Sequence, residues 1–357
     1  MHPAIDAERP DIARELDRLL AARAGPLGRA GRHSAEAVRR LAAFAARGKM
    51  VRGELLVLGW RMFGGGEARA PRPVVLRAAA ALELLHSALL VHDDIMDGDR
   101  LRRGEPTVHA RYEEEARRAR AADPERAGIA LGVSAGDLAI FVALDEIAAL
   151  EVEPALGIAL ARRVGRELSL VGAGQLEDVA LGADRQRWPS RSQVLAVYTY
   201  KTARYTFSLP LACGALLAGA RPAQLARLER LGELLGTVFQ VLDDDLGMFG
   251  SETETGKPVG ADIREGKKTL LAREILRRAP GSERRRLAPL FGRRNLGRRD
   301  LQAVREAAER LGARQSVLDA AARMAKEAQR IAAGLRVAPE HRQVLREICA
   351  ASVGRRA

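Results

Sequence analysis

Three carboxylates close the apolar stretch "ELLHSALLVHDDIMD": Asp93, Asp94 and Asp97. Two arginines, Arg102 and Arg103, follow within a few residues. On a helix Asp93 and Asp97 share a face, because four residues turn the chain through about 400°, while Asp94 points roughly 100° away. Like charges at that spacing repel, and a helix C-terminal end disfavours negative charge. Such a cluster calls for a compensating cation. Acids with no thiolate or paired imidazole beside them suit a hard, oxygen-seeking ion, Mg²⁺ or Mn²⁺, which keeps waters and completes its shell with phosphate. The arginines suit phosphate as well.

A second apolar run ends the same way. "GTVFQVLDDDLGMFG" carries Asp243, Asp244 and Asp245. Two acidic helix ends facing each other across a cavity would clamp metal ions that bridge a diphosphate. The bland alternative is a pair of solvated helix-end charges, but their recurrence in one chain favours function.

The cations carry a second signal. Only six of the 59 Lys and Arg residues are lysine: Lys49, Lys201, Lys257, Lys267, Lys268 and Lys326. A chain so biased toward arginine keeps lysine in "GKMVR", "TYKTARYTF" and "TGKPVGADIREGKKTL", where a compact ammonium meets phosphate oxygens. Lys49 and Arg52, three apart, are expected side by side on one helix face. With Arg103 they could hold a second phosphate group without metal. His86 lies seven residues before Asp93 on nearly the same face, either a satisfied core histidine or a donor facing the cavity.

The elements that must position these groups are helical. Ala, Leu, Arg and Glu dominate and β-branched runs are scarce, which favours an all-α fold. Residues 1–30 read as a helical lead-in ended by Gly25, Pro26 and Gly28, and residues 31–357 as one domain. Further helices are expected at 33–46, 73–97, 128–150, 154–182, 191–218, 222–247, 269–279, 283–291, 298–312, 314–334 and 339–351, with 111–127 peripheral and 248–268 a charged, Gly-rich loop. The helix 73–97, apolar nearly all round, should be buried.

Composition excludes several classes. The formal charge of +13 invites nucleic acid, but the basic residues are spread along the chain without aromatic interleaving or a reader module, so no nucleic-acid partner is expected. The apolar run 78–91 holds Glu83 and His86 and is too short to span a bilayer, so no membrane insertion is expected. No basic-then-apolar signal opens the chain, and Cys213 and Cys349 read as buried thiols. Together these point to the cytoplasm.

In order and spacing, "GKMVR", "ELLHSALLVHDDIMD", "RRGEPTVH", "AGDL" (135–138), the lysine-threonine pair at 201–202, "GTVFQVLDDD" and "TGKPVGADIREGKKT" resemble a trans-isoprenyl diphosphate synthase of the polyprenyl synthetase family, over about residues 40–330. The resemblance implies an isoprenoid-synthase helical barrel around a deep central cavity, usually a homodimer. It implies Asp93 and Asp97 as ligands of two Mg²⁺ ions with Asp94 in support, and Asp243 as ligand of a third. Arg102, Lys201 and Lys267 would contact an allylic diphosphate, with Lys257 nearby. Lys49, Arg52, His86 and Arg103 would bind isopentenyl diphosphate. Thr202, Gln240 and Gln175 would line the polar region near the forming cation. One departure stands out: the family's second acidic motif commonly ends in another Asp, where this chain has Gly247.

The implied reaction is ionisation of the allylic C–O bond, attack by the alkene of isopentenyl diphosphate, and loss of a proton. A terpene cyclase would line its pocket with aromatics, and only 13 occur here (2 Trp, 4 Tyr, 7 Phe). A non-catalytic subunit would be expected to lose acids from the first motif, which is intact here. Product length should be set one to two turns before Asp93, since one turn rises about 5.4 Å, close to one isoprene unit. Leu85, Ala88 and Leu89 occupy that wall. Shorter-chain synthases tend to carry an aromatic at the fourth or fifth position before the motif. Its absence here favours geranylgeranyl diphosphate, with a longer-chain product as the next choice, and Ala88→Phe is expected to shorten the product toward farnesyl diphosphate.

Overall fold

The computed structural model describes residues 7–64, 68–184, 186–251 and 259–353. Lys257 lies outside them. The described chain is almost wholly helical and divides into two compact units: residues up to 163 with 210–221, and residues 164–209 with those from 222 onward.

The first unit opens with α1 (Arg9–Gly28), α2 (Arg32–Ala45), α3 (Val51–Gly64) and α4 (Arg72–Asp97). The expected stop at Gly25-Pro26 does not occur; α1 runs through Pro26 to Gly28. Pro26 falls in the last turn, where little helix remains for its lost N–H to disrupt. The lead-in also buries Ile12, Leu16, Leu19 and Leu20 and packs on α2 and α4. After α4, a hairpin of β1 (Leu101–Arg102) and β2 (Glu105–Pro106) precedes α5 (Val108–Arg118) and α6 (Pro124–Ala148). The stretch 111–127, expected as a peripheral helix or an insertion, falls in two helices: α5 ends at Arg118, and Pro124 starts α6 with Asp123 accepting from Arg126 N.

Helix α4 is the spine of this unit. It is apolar along most of its length, and most of that stretch is buried. At 26 residues it is long enough to cross a bilayer, longer than the run 78–91 alone suggests. Its surface is spent instead on α1, α3 and α6. Helix α6 is also long and apolar enough to cross a bilayer, and less than half of its apolar stretch is buried. Gly136 lets α6 lie against α4: a Cβ there would sit 2.2 Å from His92 Nε2.

The second unit begins within α7 (Pro154–Ala183) and continues through α8 (Arg191–Val197). The chain then winds as a π-helix over Tyr198–Ser208 before α9 (Leu209–Leu217). The helix expected at 191–218 is thus three segments in two hydrogen-bonding patterns. Next come α10 (Pro222–Phe249), α11 (Ala261–Glu265), α12 (Leu270–Arg278), α13 (Gly281–Leu287), α14 (Arg298–Arg310), α15 (Ala313–Ala333) and α16 (Pro339–Val353). The expected charged loop 248–268 therefore contains the short helix α11. The core of this unit gathers α10, α12, α14 and α15 around Val238, Val241, Leu271, Ile275, Val304 and Val317. Cys213 and Cys349 are both buried.

Candidate active site

In the first unit, α4 delivers Asp93 and Asp97 half-buried and Asp94 buried. The helix ends at Gly98, whose left-handed φ of 70° turns the chain into the hairpin. That hairpin brings Arg102 back onto α4. Asp94 Oδ1 accepts from Arg102 Nε and lies 2.5 Å from Nη2. Asp94 Oδ2 is buried with no hydrogen-bond partner. Burial lifts the Asp94 carboxyl to about 6 against the opposing pull of Arg102. Asp94 therefore serves first as the seat of Arg102. Its orphaned oxygen, beside two further carboxylates and no sulfur ligand, fits a hard cation better than a soft one. Among the described residues no group of three or more His, Cys, Asp or Glu side chains could hold an ion alone.

Lys49 and Arg52 do not share a helix face. Helix α3 begins only at Val51, and Met50 takes a left-handed φ of 52°, which swings Lys49 off the helix axis into an exposed turn. The start of α3 is held from below: Gly53 N donates to Glu83 Oε1 at 2.8 Å, and Glu83 is buried. Sequence reading treated Glu83 as a polar interruption of an apolar run. A buried acid one turn before His86 was the available signal. The His86 imidazole is held well below its usual range, first by burial and then by Arg52, Arg103 and Arg102, so it is neutral at physiological pH. Arg103, itself at a left-handed φ of 54°, donates to Arg47 O at 2.5 Å.

Of the proposed chain-length residues, Leu85 and Ala88 are wholly buried at 0% exposure, and Leu89 keeps exposed surface.

In the second unit, α10 sorts its three acids. Asp243 is exposed, whereas Asp244 and Asp245 are buried. Tyr198 OH donates to Asp244 Oδ2, Gln240 Nε2 donates to Oδ1 at 2.8 Å, and Tyr198 OH also accepts from Leu270 N at 2.8 Å. Burial and the nearby Asp262 push the Asp244 carboxyl well above its ordinary range. Asp245 takes a two-pronged bond from Arg314 at 2.8 and 3.0 Å. Asp243 alone of the three is presented outward. At Gly247 a Cβ would meet Asp262 Oδ2 at 3.5 Å, so the carboxylate absent from position 247 has a near neighbour supplied from α11.

The π segment carries Lys201 and Thr202. Long π-helices are rare, and short π-bulges cluster at functional sites. This one is pressed into α10, where a Cβ on Gly236 would fall 2.3 Å from Ala203 Cα and one on Gly232 2.5 Å from Ser208 Cα. Two glycines four apart on one face permit that approach. Arg204 locks the segment from both sides, bonding Glu167 on α7 at 2.7 and 2.8 Å and Glu233 on α10. Lys201 Nζ donates to Asp178 Oδ2 at 2.5 Å. Asp178 was not among the residues expected to matter, although its position three after Gln175 puts both on one face of α7. Lys267 pairs with Glu265 at 2.9 Å. Thr202, Gln175 and Gln240 are all half-buried.

Residues 36–311 match the family model described as polyprenyl synthetase. The chain is 35% identical over 263 residues to the geranylgeranyl diphosphate synthase of Sulfolobus acidocaldarius, covering 73% of this chain and 72% of that protein. It is 33% identical over 270 residues to the enzyme of that name from Saccharolobus solfataricus, covering 74% and 73%. Among solved structures, a geranylgeranyl pyrophosphate synthase from Corynebacterium glutamicum, complexed with isoprenyl diphosphate and magnesium, superposes with a TM-score of 0.91 at 30% identity over 99% of each chain. A polyprenyl synthase from Caulobacter crescentus, complexed with calcium and isoprenyl diphosphate, gives 0.80 at 27% identity over 99% of this chain and 98% of that one.

Proposed function

Because the chain belongs to the polyprenyl synthetase family and is a prenyltransferase, we propose that it condenses isopentenyl diphosphate with an allylic diphosphate (dimethylallyl, geranyl or farnesyl) to give geranylgeranyl diphosphate. The observation that carries this reading is the end of α4, where Asp93 and Asp97 stand beside an arginine seated on Asp94. The relatives' names support the product.

Asp93, Asp97 and Asp243 would hold three Mg²⁺ ions, with Mn²⁺ as an alternative, supplying Lewis-acid stabilisation of a departing diphosphate. Arg102, Lys201 and Lys267 bind the allylic diphosphate and spread positive charge along it, and Lys257 is assigned the same task. Lys49, Arg52, neutral His86 and Arg103 hold isopentenyl diphosphate. Thr202, Gln240 and Gln175 line the polar region near the carbocation formed when the C–O bond ionises. The alkene then attacks that cation, and the proton lost restores the double bond and passes to the released diphosphate. No side-chain nucleophile takes part. Leu89 is the residue of the 85–89 wall that meets the growing tail, while Leu85 and Ala88 support it from the core.

The working form is a homodimer in the cytoplasm, without membrane insertion. Helix α6 leaves Ile129, Val133 and Phe141 exposed, the last at 66%, and Ile158 on α7 is 61% exposed. A second copy covering this face accounts for apolar surface that water would disfavour. Phe141→Asp should yield a monomer in light scattering, and a wild-type monomer would refute the dimer.

The test of the metal assignment is Asp93→Ala and Asp97→Ala. Each should lower turnover by about a thousandfold or more, through lost stabilisation of the leaving group. More than about a tenth of wild-type activity in either variant contradicts it.

A further inference from the structure

We propose that Tyr198 is a positioning residue for the allylic diphosphate, a role that rests on the assignment of Asp243 and Lys267 above. Its hydroxyl is the joint that sets the segment carrying Lys267 against the helix carrying Asp243. The Tyr198 ring is buried in the core of the second unit, in a cluster that includes Val194, Val238 and Val241. Its hydroxyl joins three elements. Tyr198 opens the π segment, its OH donates to Asp244 Oδ2 on α10, and it accepts from Leu270 N, the first residue of α12, at 2.8 Å. A charged site residue stands close to each contact: Lys201 three positions after Tyr198, Asp243 next to Asp244, and Lys267 three positions before Leu270.

Packing alone does not call for this hydroxyl, since phenylalanine would fill the same core. What the hydroxyl satisfies is two buried polar groups. The first amides of a helix have no partner within it. Thr269 Oγ1 takes Ala272 N at 3.1 Å, and Tyr198 takes Leu270 N. On the acid side, Gln240 Nε2 holds Asp244 Oδ1 at 2.8 Å and Tyr198 holds Oδ2, so both oxygens of that carboxyl are fixed. The lysine segment has two further anchors, and neither reaches α10. Lys267 N donates to Asp262 O on α11 at 2.9 Å, and Lys268 Nζ lies 4.0 Å from the centre of the Trp188 ring. Of these three ties, the Tyr198 hydroxyl is the one that binds the segment to the acidic helix. Asp244, Lys267 and Thr269 line one small crevice of about 260 Å³, open mouth included. A segment released from Tyr198 therefore changes the reach of Lys267 toward a diphosphate held at the acids.

The test compares the full-length protein with Tyr198→Phe, which keeps the ring, and with Leu270→Pro. Proline suits a first helical position after the extended Thr269, and it removes the amide while leaving Tyr198 on Asp244. A cooperative melt confirms folding of each variant. Calorimetry with Mg²⁺ present measures geranyl diphosphate and, separately, isopentenyl diphosphate, and hydrogen exchange follows residues 266–272. Both variants should weaken geranyl diphosphate by about tenfold or more, the scale of one hydrogen bond to a charged group, and leave isopentenyl diphosphate within about twofold. Exchange over the segment should quicken in Tyr198→Phe. Unchanged affinity for geranyl diphosphate overturns the positioning role even where exchange quickens, and equal weakening of both substrates overturns it as a general loosening. Selective weakening supports the joint even if the wild type forms no elongated product, so a failed activity assignment is told apart from a failed joint. A wild type with no affinity for geranyl diphosphate overturns both.

Discussion

Asp94 is buried and its Oδ1 receives Arg102 at 2.5 Å, so the middle acid of the first cluster holds the first arginine of the pair that follows it. The acids and cations quoted together in the sequence are one bonded assembly. Its flanking members, Asp93 and Asp97, remain at the surface of the helix end.

Asp94→Asn should keep the fold yet raise the KM for the allylic diphosphate, because Arg102 loses the charge that orients it. Asp94→Ala should also lower stability by about 3 kcal/mol, the scale for removing one partner of a buried pair. Steady-state kinetics and thermal melts separate the two effects. An unchanged allylic KM in Asp94→Asn would show that Arg102 does not act on that substrate.

On α10 the three consecutive acids should behave differently. Burial already favours the protonated form of Asp244, so Asp244→Asn is expected to keep turnover within about tenfold of wild type. Asp243→Asn should lose about a thousandfold, since Asp243 is the outward carboxylate. Comparable losses in both would mean that Asp244 reaches the substrate.

Gly236→Ala places a methyl where Ala203 Cα lies 2.3 Å away. Either the π segment shifts or α10 bends, at about 3 kcal/mol. Lys201 and Thr202 move with the segment, so activity should fall more steeply than the melting temperature. Full activity at a reduced melting temperature would show that the position of the π segment does not matter to turnover.

Glu167 gives a pH signature. Burial would raise its pKa, but the bonds and charge of Arg204 outweigh it and hold the carboxyl below its ordinary 4.5. A depressed folded pKa contributes stability above pH 4.5 that is lost as pH falls through the folded value. Glu167→Gln should therefore melt lower than wild type at pH 7 and lose less stability than wild type between pH 5 and about pH 3. Parallel melting curves across that range would remove Glu167 from the clamp on Arg204.

Product length should respond at Leu89 before Ala88. Leu89→Phe puts a ring on the one wall residue that is only half-buried, and the product should shorten toward farnesyl diphosphate. Ala88→Phe must open a packed core at 0% exposure, so its first effect is lost stability of about 1–3 kcal/mol. Product analysis of both variants decides the matter, and unchanged chain length in an active Leu89→Phe enzyme would move the floor to another helix.

Much of this was legible beforehand, for particular reasons. The helices at 154–183 and 222–249 announce themselves by long apolar periodicity ended by glycine and charge, and both match expectation within two residues. The two acid clusters were legible from type and spacing, whereas Asp243 was set apart from Asp244 and Asp245 only by the family resemblance. The π segment was not, because Tyr198–Ser208 has no period that separates it from an ordinary helix. Lys49 was misplaced because a left-handed Met50 is rare and leaves no compositional trace. Asp178, Glu83 and Tyr198 were overlooked since each acquires its role from a partner distant in sequence: Lys201, Gly53 and Asp244.

The most direct measurement is to incubate the purified protein with Mg²⁺, isopentenyl diphosphate and each of dimethylallyl, geranyl and farnesyl diphosphate, then identify the products. Geranylgeranyl diphosphate as the main elongated product, with none formed when the metal is chelated, is the expected result. Cyclised hydrocarbon, or no elongation from any primer by the folded protein, would contradict the assignment.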